Sequence, residues 1–127
     1  MATRPRIQHV SIPRPPGNES ADQARAFYGD LLGLEEKTIP GSIQQSDLVW
    51  FRVGDGELHV FADKSPNART GQHFCMDVDD VDGLRQRLVD AGYTPTDTTP
   101  IRNRPRFFCR DPFGNQIEFT TVIGDYE

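Results

Sequence analysis

Three histidines and one glutamate carry the chemistry this sequence offers. His9, His59 and His73 are all the histidines in the chain, and each lies in a short run that alternates polar and apolar residues, as Glu118 does. Imidazole nitrogen and carboxylate oxygen are the donors that suit Zn²⁺, Ni²⁺, Fe²⁺, Co²⁺ or Mn²⁺. Side chains on a strand alternate between its two faces, so the neighbours show where each candidate points. Val10 and Ile12 oppose His9, Leu58 and Val60 oppose His59, Phe74 and Met76 oppose His73, and Ile117 and Phe119 oppose Glu118. The four therefore share the face turned away from the core. A cation held by three imidazoles and a carboxylate keeps a positive charge and polarises a carbonyl, stabilises an enolate or activates bound water. Glu118 and His59 are then the candidate catalytic proton acceptors. Taken singly, a strand histidine is more often a surface or core residue than a ligand; the joint placement is what makes a set.

Strands must present these residues, and the chain supplies them at regular intervals. Ile7 to Ile12 reads as a first strand ending at Pro13, where a backbone donor is missing. A helix follows from Ser20, with Ser20 and Gln23 as a capping pair, Ala24, Phe27, Tyr28, Leu31 and Leu32 at helical spacing, and Gly33 as its stop. Leu34 to Ile39, Asp47 to Val53 and Glu57 to Ala62 read as strands, the last two joined by a Gly54-Asp55-Gly56 hairpin turn. After a polar linker the order recurs: a strand from Gly71 to Val78, a helix behind Asp79 and Asp80 that Gly92 closes, a short strand at Tyr93, then strands Arg106 to Arg110 and Gln116 to Val122.

Laid on each other, the two halves match. His9 falls on His73, Leu32-Gly33-Leu34 on Ala91-Gly92-Tyr93, and Leu58-His59-Val60 on Ile117-Glu118-Phe119. The fold class expected is α+β: two tandem βαβββ modules forming a curved mixed sheet around one site, helices on the outer face. The whole chain, 1–127, is then a single domain with module 1 at about 7–62, a linker at 63–70 and module 2 at about 71–122.

The 127 residues and formal net charge of −5 disfavour nucleic acid or an anionic membrane surface as a partner, so a small-molecule substrate is expected. No apolar stretch reaches a bilayer-spanning length, and Met1 to Arg6 lacks the apolar segment of a secretory signal, so the expected location is cytoplasmic. The two cysteines, Cys75 and Cys109, read as buried reduced thiols.

These residues resemble the vicinal oxygen chelate superfamily, which includes glyoxalase I, extradiol dioxygenases, fosfomycin-resistance transferases and the bleomycin-resistance proteins. The resemblance rests on the opening His9 strand, Ala24-Arg25-Ala26-Phe27-Tyr28 through Leu32-Gly33-Leu34, the His59 and His73 strands, and most specifically Asp111-Pro112-Phe113-Gly114-Asn115 leading into Glu118. It implies metal ligands on the first and last strand of each module, at His9, His59, His73 and Glu118, a divalent metal cofactor and a homodimer. The glyoxalase I pattern has a carboxylate from each module, whereas this chain has His59 in the first. A two-His, one-Glu site like that of extradiol dioxygenases fits His9, His73 and Glu118. The expected function is a metal-dependent lyase, isomerase or dioxygenase; the alternative is a metal-free drug-binding protein of the bleomycin-resistance kind.

Trp50, Phe61, Phe108 and Phe113 are the candidate apolar contacts for substrate, with Tyr93 a further aromatic wall. Arg102 heads a cluster with Arg104 and Arg106 suited to a carboxylate or phosphate, and Arg52 and Arg110 occupy similar places in the two repeats, where pairing with acidic neighbours is expected.

Overall fold

The computed structural model describes residues 4–44, 46–64 and 70–126, and the chain divides into two compact units, Met1–Pro66 and Asn67–Glu127. Most of the expected linker, residues 65–69, lies outside the described residues.

The first unit runs β1 (His9–Arg14), α1 (Asn18–Ala24) continued by a π-helical stretch (Arg25–Leu31), β2 (Glu35–Lys37), a 3-10 turn (Gly41–Ile43), β3 (Leu48–Val53) and β4 (Gly56–Ala62). Its sheet has the order β1-β4-β3-β2, with β1 parallel to β4 and the other pairs antiparallel. The second runs β5 (His73–Asp77), α2 (Val81–Asp90), β6 (Arg106–Arg110) and β7 (Gln116–Thr120) in the order β5-β7-β6, and again the first strand is parallel to the last. The fold is α+β and built of two modules.

Strand register repeats as closely as strand order. Ser11 pairs with His59 and Cys75 with Glu118; Trp50 pairs with His59 and Phe108 with Glu118. Where β2 pairs Lys37 with Trp50, the second unit keeps a single bridge from Thr96 to Phe108. No strand forms at Tyr93: its N–H closes the helix on the Leu88 carbonyl, and Pro95 then removes a ladder donor.

One face of each sheet is core. Val49, Phe51, Leu58 and Val60 are buried with Ala24, Phe27 and Tyr28 of the first unit's helix, the Tyr28 and Phe51 rings 5.8 Å apart. In the second unit Phe107, Ile117 and Phe119 are buried with Leu84 and Leu88. Each buried Val, Leu, Ile or Phe among them contributes about 1.5–3 kcal/mol relative to exposure.

Two local expectations need correcting. The first strand continues through Pro13 to Arg14, which an outer strand tolerates because only its inward groups bond to the neighbour. The helix begins at Asn18 with no side-chain cap, because Ser20 is buried: its hydroxyl donates to the Pro15 carbonyl and accepts from the Arg14 guanidinium. At α2 the acidic start is as expected, Asp80 accepting from the Gly83 N–H at 3.0 Å. Gly33 (φ 78°) and Gly92 (φ 94°) end the two helices in the left-handed conformation. No helix among the described residues is long and apolar enough to cross a membrane.

Candidate functional site

The sheet face opposite the core carries the candidate residues in both modules. In the first, the His59 ring lies between two others: Trp50 stacks on it at 3.7 Å and 2°, His9 at 4.1 Å and 15°. Glu57, two residues before His59 and so on the same face, accepts from His59 Nε2 at 2.9 Å and from Lys37 Nζ at 2.6 Å. A carboxylate is acceptor-only, so Nε2 carries the His59 proton and Nδ1 presents the lone pair. His9 Nδ1 meets the Gln8 side-chain oxygen at 2.7 Å, which leaves its lone pair on Nε2.

Lys37, His59 and Gln8 together hold the Glu57 carboxyl down to about 2, Lys37 with the largest effect. A carboxyl depressed from its ordinary value stabilises the fold above that value and ceases to do so as pH falls through the depressed one. Glu57→Gln is accordingly expected to flatten the loss of stability between about pH 4.5 and about pH 2, read from urea midpoints across that range.

In the second module His73 Nδ1 lies 2.8 Å from the Gly71 carbonyl and donates to it, which leaves Nε2 to face the rest of the site. Nε2 lies 3.1 Å from Glu118 Oε1, while Arg106 Nη1 donates to Glu118 Oε2 at 3.2 Å and Nη2 to the Thr99 carbonyl at 2.7 Å. Phe108 meets the His73 ring edge-on at 4.8 Å. Two acceptors 3.1 Å apart repel unless a positive species lies between them, so the pair requires a proton or a metal ion. Cys75, the register partner of Glu118, is exposed rather than buried as expected; partial burial first, and the Glu118 carboxylate beside it, push its thiol up to about 11, so at neutral pH it stays protonated. Cys109 is buried and free.

Each module thus brings two of the four together, His9 with His59 and His73 with Glu118. Among the described residues no group of three or more His, Cys, Asp or Glu is gathered for a metal ion. Trp50, Phe61 and Phe108 lie on the open faces; Phe113 sits in the turn that Asp111 organises by accepting from the Phe113 and Asn115 N–H groups. Arg102 is exposed in the turn bridged by Ile101 and Arg104, and Arg104 stacks on Tyr126 at 4.2 Å. Arg110 departs from the acidic pairing expected of it, donating instead to the carbonyls of Gly114 (2.8 Å) and Thr70 (3.2 Å).

With two modules of matched register in view, comparison with known proteins is decisive. The sequence profile of the Glyoxalase/Bleomycin resistance protein/Dioxygenase superfamily matches residues 6–119. The chain belongs to that superfamily. A glyoxalase family protein from Bacillus anthracis is 32% identical, with 96% of this chain and 98% of that one covered and a TM-score of 0.85. The lactoylglutathione lyase of Agrobacterium tumefaciens is 25% identical over 94% and 95% of the chains, with a TM-score of 0.70. The fosfomycin resistance protein FosX of Listeria monocytogenes shares the fold at 15% identity and a TM-score of 0.75, over 94% of each chain. No curated protein matches.

For a member of this glyoxalase superfamily, sequence reasoning missed the groups that set the state of the ligand candidates. Glu57 on His59 was legible in principle from strand alternation, being two residues away; Lys37, which holds Glu57, comes from another strand, and Arg106, singled out with the arginine cluster, turns its guanidinium to Glu118.

Proposed function

We propose that this chain is a divalent-metal-dependent vicinal oxygen chelate enzyme acting on a small oxygen-bearing substrate. One observation carries the reading: His9 and His73, at equivalent places in the repeat, both set Nδ1 against an upstream oxygen, which leaves Nε2 as the nitrogen able to ligate, and His73 Nε2 lies 3.1 Å from Glu118 Oε1. A ligating imidazole held through its other nitrogen and a carboxylate held by a further donor are the usual supports of a metal site. The donor set fits Zn²⁺, Ni²⁺, Fe²⁺, Co²⁺ or Mn²⁺, and the combination of two histidines with one carboxylate suits a cation that keeps open positions. Such a cation supplies Lewis acidity towards a carbonyl, enolate or water oxygen.

The chain's own groups have separable tasks in this reading. His73 and Glu118 are the second module's ligands and His9 is the first module's. Arg106 orients Glu118 so that Oε1 faces His73. His59 is the proton acceptor, with Nδ1 as the basic atom; Lys37 keeps Glu57 ionised, and Trp50 and His9 fix the ring plane. As a fourth ligand His59 would offer that same Nδ1. Trp50, Phe61 and Phe108 are the apolar substrate contacts, Phe113 and Arg102 more peripheral ones. The working form is a homodimer in the cytoplasm. The 25% identity to a lactoylglutathione lyase supports lyase chemistry, and His59, where the glyoxalase I pattern has a carboxylate, sets the reaction apart from that of glyoxalase I.

Protein purified without chelator is expected to hold about one equivalent of divalent metal and, once loaded, to turn over a member of a panel of hemithioacetals, catechols and fosfomycin with thiol donors. A chain that stays metal-free after reconstitution would overturn the proposal and leave metal-free drug binding in its place.

A further inference from the structure

The second module contains a cavity of about 600 Å³ lined by Tyr93, Thr94, Thr96, Arg110, Asp111 and Gln116, within the size range of small-molecule pockets. It adjoins the His73 row of the open face: Gln116 is the register partner of both His73 on β5 and Arg110 on β6. The internal repeat shows what is unusual about this row. Its first-module counterpart runs His9, Glu57, Arg52, with a carboxylate in the middle, and Lys37 neutralises that carboxylate. In the second module the middle position is the neutral amide of Gln116, and no Lys or Arg stands where Lys37 does, because the bridge from Thr96 replaces that strand.

Arg110 is therefore half-buried, beside a cavity, with no carboxylate partner among the described residues; Arg14, Arg25, Arg85 and Arg106 each have one. Its two bonds are to neutral carbonyls, and each terminal nitrogen of a guanidinium keeps a second N–H. Asp111, also at the cavity wall, turns its carboxylate to the N–H groups of Phe113 and Asn115 and to the Asn115 side chain. A cation held by carbonyls next to an open volume that Thr96 and Gln116 also line suits an oxyanion.

The geometry points to this cavity as the subsite for an anionic end of the substrate, a carboxylate or phosphate held by Arg110 and flanked by Thr96 and Gln116. The inference rests on the His73–Glu118 pair being the reacting centre, from which the substrate would extend along the Gln116 and Arg110 row. It narrows the substrate class to small oxygen-bearing molecules with an oxyanion at the end remote from the metal-facing oxygen.

Amide and guanidinium NMR of the full chain, titrated separately with glutarate, inorganic phosphate and uncharged glutaramide, tests it. The expected result is saturable shifts at Thr96, Gln116 and the Arg110 Nε–H with glutarate or phosphate and none with glutaramide; whichever anion binds tighter names the oxyanion. Arg110→Gln should weaken that binding about ten- to hundredfold. Gln116→Glu keeps the Arg110 bonds to Gly114 and Thr70 and should weaken it likewise by neutralising the guanidinium. His73→Ala should leave anion binding intact, so failure of the metal reading alone would appear as unchanged shifts in a chain that takes no metal. Absence of shifts with both anions, or equal binding by Arg110→Gln and the parent, would overturn the subsite.

Discussion

Glu118→Gln is expected to lose metal and turnover together while the fold stays intact. The amide keeps an acceptor for Arg106, so the substitution removes charge and ligand strength without stranding the guanidinium. Changing a group that merely supports a ligand typically costs 10–100-fold in metal affinity, so losing the ligand itself should cost at least about a hundredfold. His73→Ala should match it, and Arg106→Met should fall in the supporting range. Chelator competition measures the affinities, and thermal unfolding supplies the control: Glu118 lies on the face away from Ile117 and Phe119, so its replacement leaves the core untouched. A Glu118→Gln protein with parental metal affinity would remove this residue from the ligand set.

Asp47→Ala should give the largest loss of stability outside the apolar core. Arg14 is fully buried at the end of β1, and its contacts besides Asp47 are neutral: the carbonyls of Pro15 and Gly17 and the Ser20 hydroxyl. Removing the partner of a buried charge typically costs 3–5 kcal/mol. Because the Asp47 side chain is 40% exposed, water screens part of that, and about 2–3 kcal/mol is the expected loss in chemical denaturation. The Gly17 N–H, and with it the Arg14 guanidinium, holds the Asp47 carboxyl below its ordinary value, so the parent should also lose this contribution as pH falls through that depressed value. Asp47→Ala should lack that acid-side loss. Since Arg14 and His9 share β1, weaker anchoring of the strand should also blur the His9–His59 stack.

The repeat was legible because it is written in apolar periodicity: Val10, Ile12, Leu58 and Val60 recur as Phe74, Met76, Ile117 and Phe119, and a one-residue slip in any strand would turn these residues out of the core. The same phase placed His9, His59, His73 and Glu118 on the open faces. What periodicity does not encode is which cross-strand neighbour a polar side chain chooses. Glu57 could have met Arg52, its register partner, yet bonds Lys37 and His59. Ser20 had the sequence context of a helix cap but serves a buried arginine, because the long-range pairing of Arg14 with Asp47 outweighs a local cap. The strand expected at Tyr93 failed for a related reason: the Leu88 carbonyl claims its N–H before a sheet can.

The proposed function has a metal ion, rather than a proton, neutralise the His73–Glu118 pair. Nitrogen NMR of the His73 ring during a Zn²⁺ titration tests it most directly. Near neutral pH the Nε2 resonance is expected to move to a metal-bound position at about one equivalent, with the Nδ1 proton still on the Gly71 carbonyl. A ring that carries protons on both nitrogens and does not respond to Zn²⁺ would contradict it, making the pair an imidazolium–carboxylate bridge.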